Sequence, residues 1–152
     1  MGEVYFYHLT QRPLEAVLPA LLDRAMQAGW RIQVRGTDAG RMSWLDEKLW
    51  LGPDDRFLPH GLSGGQHDAL QPVLLTSERL APGDRACVMS IDGAEVTVEE
   101  VAALARACIL FDGRDQAQVQ HARGQWKTLT SAGCSAQYWS EESGRWEKKA
   151  ET

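Results

Sequence analysis

Five side chains able to hold a metal or move a proton crowd one stretch, GPDDRFLPHGLSGGQHDALQ (residues 52–71): Asp54, Asp55, His60, His67 and Asp68. Carboxylates with imidazoles are the ligand set of metal-assisted hydrolysis. One class these residues permit is therefore a small α/β metal-dependent hydrolase or nucleotide-binding enzyme built on residues 54–68. Such a centre needs ligands fixed on rigid elements and steadied by an outer shell. This stretch has neither helical nor alternating period, so a solvated loop with turn-favouring Asp residues is the preferred reading, and no metal is expected. Other catalytic signatures are missing as well. Where a dinucleotide fingerprint would follow the first strand, the chain reads HLTQRPL, without glycine. It contains no G-x-x-x-x-G-K-[ST] phosphate loop and no G-x-S-x-G elbow. Ser63-Gly64-Gly65 is glycine-rich but does not lead from a strand into a helix. No catalytic residue, no cofactor and no intrinsic catalysis are expected.

The elements around that stretch alternate. EVYFYHL (3–9) is aromatic and β-branched and reads as a strand. Pro13 suits the first turn of a helix. Leu14, Val17, Leu18, Leu21, Leu22, Ala25 and Met26 then recur at helical spacing. Pro19 interrupts that stripe at a cost, but seven matches outweigh one breaker, and Gly29 fits the stop. RIQVR (31–35) reads as a second strand, and residues 39–51 as a helix with Met42, Leu45 and Leu49 on one side. PVLLT (72–76), RACVMSI (85–91) and RACILF (106–111) read as buried strands, with a short helix near 97–104 between the last two. A long helix is expected from about 114 to 132, closed by Gly133. CSAQYWS (134–140) reads as a strand, Glu142-Ser143-Gly144 as a turn and RWEKK (145–149) as an antiparallel return. Strands alternating with helices predict a three-layer α/β/α, Rossmann-like domain. Its sheet is mainly parallel with a C-terminal antiparallel edge, in one domain over residues 1–152.

Composition narrows the function. The chain of 152 residues is 43% hydrophobic and 24% charged, ordinary for a globular domain. No run approaches a membrane span, and MGEVYFYHL has no basic flank leading into an apolar run, so a cytoplasmic protein is expected. Cys87, Cys108 and Cys134 lack CxxC spacing, sit in strand-like runs and read as buried, inert thiols. Residues 1–111 hold 15 acidic and 10 basic side chains, and residues 112–152 hold six of each. Binding to phosphates needs a surplus of cations, so strong direct nucleic-acid binding is not expected. A single-strand binder stacking bases on exposed tryptophans is a third class, and the same charge balance counts against it.

Several local patterns together resemble the chi subunit of bacterial DNA polymerase III. They are VYFYHL (4–9); WLDEKLW (44–50) followed by PDDRFLPHGL (53–62); ARGQWK (122–127); Ala132-Gly133; and Gly144-Arg145-Trp146. They run in family order, and residues 63–105 match in strand pattern only. The resemblance implies a replication adaptor. Chi captures the acidic C-terminal tail of single-stranded DNA-binding protein and joins the clamp loader through a small subunit, psi. A receptor for such a tail needs cations beside an apolar pocket.

In the family the C-terminal long helix carries the main basic residues for the tail, which here implies Arg123, Trp126 and Lys127. Family members often have Tyr at the place of Trp126 and an additional Arg at the place of Gln125. Arg123 and Lys127 are four apart and share a helical face. Trp126 also falls in the stripe Val119, Ala122, Trp126, Leu129, so core packing and tail contact both remain open for it. Arg145, Lys148 and Lys149 offer a second cationic fringe. The resemblance places contacts with a psi-like subunit, or with an accessory helicase, around Trp50, Phe57, Leu58, Pro59 and His60. Large apolar groups in a polar loop fit an interface. Phe57 and Leu58 equally fit a staple holding the loop to the core, and His60 fits a local hydrogen bond better than a metal ligand.

Overall fold

The structure is a computed structural model, and it describes residues 2–50, 60–65, 68–78 and 81–152. In chain order the elements are β1 (Glu3–Leu9), α1 (Leu14–Gln27), β2 (Ile32–Arg35), α2 (Ala39–Trp50), β3 (His60–Leu62), β4 (Val73–Thr76), β5 (Cys87–Ser90), α3 (Val98–Ala103), β6 (Arg106–Asp112), α4 (Gln116–Ser131), β7 (Ser135–Ser140) and β8 (Glu147–Glu151). Among the described residues the strands form one sheet in the order β3-β4-β2-β5-β6-β1-β7-β8. Every neighbouring pair is parallel except β7 with β8. The expected α/β class, with its antiparallel C-terminal edge, is what the chain adopts.

The layers follow from burial. Leu14, Val17, Leu18, Leu21 and Leu22 of α1 and Met42, Leu45 and Leu49 of α2 pack on one face of the sheet. Val101 of α3 and Ala122 and Leu129 of α4 pack on the other. Central strands covered on both faces are apolar on both sides, as the run Ala107, Cys108, Ile109, Leu110, Phe111 of β6 is. Pro19 sits within α1 without ending it, and Pro13 precedes its first turn. Being short, α3 depends on a capping box between Thr97 and Glu100. Glu100 also takes the buried Arg35 guanidinium at 2.6 Å, which pins α3 to β2. Cys87 and Cys108 are buried, but Cys134 is only half-buried and precedes β7 rather than lying in a strand.

Segment 52–71 departs from the expected irregular loop. It contains β3, which pairs in parallel with β4 from His60↔Val73 to Leu62↔Leu75, and a single 3-10 turn at Asp68–Leu70. The buried Arg85 donates to the carbonyls of Asp68 and Gln71 at 2.8 and 2.7 Å and so holds this turn against the end of the sheet.

Candidate peptide-binding cleft

Helix α4 begins at Asp115, whose carboxylate accepts the Ala117 and Gln118 N–H groups at 3.0 and 3.2 Å. Its buried side presents Ala122, Gln125 and Leu129 to the sheet. Gln125 accepts the Val96 N–H at 2.7 Å, tying α4 to the segment before α3. The residue at the position where family members often carry a further cation therefore points inward. Arg123 and Lys127 lie on the exposed side, and neither is in an ion pair with a described residue.

Trp126 lies between these two sides. It is half-buried, its ring edge-on to Phe6 at 5.2 Å and to Tyr138 at 6.1 Å between centroids. The contact with Phe6 belongs to the core. The remaining surface of the indole, with Arg123, Val119 and Ala122, walls a cleft of about 530 Å³ between α4 and the β1-β7-β8 side of the sheet. Trp126 therefore packs on the core with one part of its ring and lines the cleft with the rest. Lys127 is not part of the cleft wall and stands one turn further along the helix.

The floor holds residues that no sequence pattern indicated. His8, at the end of β1, stacks on Phe111 of β6 with centroids 5.1 Å apart and planes 11° apart. Its Nδ1 lies 3.4 Å from the Ser140 hydroxyl and 3.7 Å from the Glu142 carboxylate. Tyr138 completes this floor. Burial and the nearby Glu142 raise its phenol above the ordinary value, and Arg123 partly opposes them, so Arg123 acts on the same space. These residues come from strands far apart in sequence and meet at the C-terminal ends of β1 and β6, where parallel sheets place ligands. The cleft therefore offers apolar walls and, at the rim, a guanidinium in no ion pair with a described residue.

At the other end of the sheet, Trp50 closes α2 with half its surface exposed, its ring 4.2 Å from that of His60. His60 is buried, with Nε2 3.1 Å from the Asp46 carbonyl and 3.2 Å from its carboxylate. Phe57, Leu58 and Pro59 lie outside the described residues, as do Asp54, Asp55 and His67. Asp68 accepts the N–H groups of Gly64 and Gly65 at 2.8 and 2.9 Å. Among the described residues no three His, Cys, Asp or Glu side chains group to hold a metal, and no helix is long and apolar enough to cross a membrane. The turn after β1, where a dinucleotide-binding domain offers N–H groups to phosphate, is filled from within. The Glu141 carboxylate takes the N–H groups of Thr10, Gln11 and Arg12, each at 3.1 Å.

The chain is thus a largely parallel α/β domain with an apolar cleft, rimmed by the Arg123 guanidinium, under its last helix. The family model for the DNA polymerase III chi subunit, HolC, matches residues 1–137, and the chain belongs to that family. It is also similar to a protein of Rickettsia prowazekii (strain Madrid E) named probable DNA polymerase III subunit chi. That similarity is 21% identity over 96 residues, covering 63% of this chain and 58% of the relative's length.

Proposed function

We propose that the chain is a non-catalytic accessory subunit of DNA polymerase III, acting in the cytoplasm as one domain over residues 1–152. Its α4 cleft captures the acidic C-terminal tail of single-stranded DNA-binding protein. The observation that carries this reading is the unpaired Arg123 beside the cleft walled by Trp126. Apolar area holds the tail's hydrophobic end, and the guanidinium takes a carboxylate in a charge-assisted bond. Lys127, outside the wall, adds attraction at longer range and helps to orient the acidic stretch. The opposite edge, where Trp50 is exposed and the segment with Phe57, Leu58 and Pro59 follows, joins a psi-like clamp-loader subunit or an accessory helicase. The two surfaces lie at different ends of the sheet, so one chain can bridge two partners.

The test is a calorimetric titration with the C-terminal peptide of the cognate single-stranded DNA-binding protein. One peptide should bind per chain, more weakly as salt rises. Arg123→Ala should cost about 1.5–3 kcal/mol, the range for a hydrogen bond to a charged group. Unchanged affinity for the combined Arg123→Ala, Lys127→Ala variant would remove the α4 cleft from the account.

A further inference from the structure

Successive residues of a strand face opposite sides of the sheet, and Tyr7 and Trp139 point away from the α4 cleft that His8 and Tyr138 line. On that other face α1 leaves the β7-β8 side open, and a second cleft of about 410 Å³ lies between them. Its walls are aromatic. Trp146 stands edge-on to Tyr7 at 5.3 Å, and Tyr5 lies 6.3 Å from the same ring. The Arg106 guanidinium sits 4.0 Å over the Tyr5 ring and 5.1 Å from the centre of Trp30.

Two groups here lack a partner among the described residues. Tyr7 is nine-tenths buried, yet its hydroxyl makes no hydrogen bond with a described residue and is not sealed from solvent. Tyr7 lines the cleft, which leaves its O–H as a donor for an occupant. Burial raises the Tyr7 phenol well above its ordinary value, and Arg106 and Arg24 oppose that, which places both guanidinium groups within electrostatic reach of the hydroxyl. Arg106 is already paired with Glu3 at 2.6 Å. Arg24, exposed in the last turn of α1, is in no ion pair with a described residue.

We propose that this cleft is a binding site for a small aromatic anion, its ring lying among Tyr5, Trp30 and Trp146 and its acidic group meeting the Tyr7 hydroxyl and Arg24. Aromatic faces hold planar rings by offset and edge contacts. A buried donor with a cation beside it selects an anionic acceptor over a neutral one. The volume falls in the small-molecule range. Two cellular sources share this chemistry: a nucleotide, and an aromatic residue bearing a free carboxylate at a peptide end. The site shares no residue with the α4 cleft, so it does not depend on tail capture.

The experiment is calorimetric titration of the full chain with dAMP and, separately, with N-acetyltryptophan. At least one should bind saturably at one per chain. Binding of dAMP assigns the nucleotide source, binding of N-acetyltryptophan the peptide end, and binding of both leaves the shared chemistry as the selecting feature. Tyr7→Phe should weaken the binding about tenfold, as loss of a hydrogen bond to a charged group does, and Arg24→Gln should weaken it as well. Tyr7→Phe should melt no lower than the parent chain, because the lost hydroxyl has no partner among the described residues, so weaker binding cannot be put down to misfolding. Flat titrations with both probes would overturn the proposal. So would binding indifferent to both substitutions.

Discussion

Gly113 lies so close to His8 that a β-carbon on it would stand 2.1 Å from the imidazole Nε2. Glycine here is a matter of space: Gly113 is not among the glycines with positive φ. The contact joins the ends of β1 and β6 under the α4 cleft and lets the imidazole lie flat on Phe111.

Gly113→Ala must therefore displace His8 or the start of the β6–α4 turn. Overpacking of this kind costs about 1–3 kcal/mol. We expect a lower melting temperature together with weaker tail-peptide binding. His8→Ala in the same background should recover much of the lost stability by opening the space. Thermal melts of the two variants check this, and no recovery would mean that the strain lies elsewhere.

Glu141 supplies a pH dependence. Burial opposes its charge, but the N–H groups of Arg12, Gln11 and Thr10 and the Arg12 guanidinium outweigh that and hold the carboxyl below its ordinary value. A carboxyl depressed in the folded state contributes stability that is present above its unfolded pKa and lost as pH falls through the folded one. Glu141→Gln should thus destabilise the chain at neutral pH by about 1.5–3 kcal/mol. The gap to the parent chain should narrow as pH drops below about 4, the unperturbed carboxylate range. Denaturant melts across that range test it, and a gap independent of pH would contradict it.

Trp50 and His60 are the members of the proposed second surface that lie among the described residues, and Trp50 is the exposed one. Trp50→Ala should weaken binding of a purified psi-like subunit by about 2 kcal/mol or more, as loss of an interface aromatic does. It should leave tail-peptide affinity unchanged, since distant sites without shared contacts act additively. Parallel loss of both affinities would mean that the two surfaces are coupled or that Trp50 supports the fold.

Periodicity made the fold legible. Six of the seven stripe residues of α1 are buried, with Met26 partly so, and the apolar runs of β4, β5 and β6 bury what their spacing required. β3 escaped because His60-Gly61-Leu62 is three residues long, and no alternation can show at that length. Arg123, Trp126 and Lys127 were legible through family resemblance, and the structure separates them: Arg123 and Trp126 wall the cleft, Lys127 does not. His8, Gly113 and Tyr138 were not legible, because parallel pairing joins residues more than a hundred positions apart, as His8 with Phe111 and Ser140. Gln125 reads as a surface residue by type. Its burial and the bond to Val96 show that it faces inward.

The carboxylate that we propose Arg123 takes is the one at the C-terminus of the tail. The most direct measurement of this contact is a double cycle, titrating the parent chain and Arg123→Ala with the tail peptide carrying either a free or an amidated C-terminus. If the guanidinium meets the terminal carboxylate, amidation and Arg123→Ala should each cost about 1.5–3 kcal/mol. Their combined loss should then fall well short of the sum, because both remove the same contact. Two losses that simply add would contradict the account.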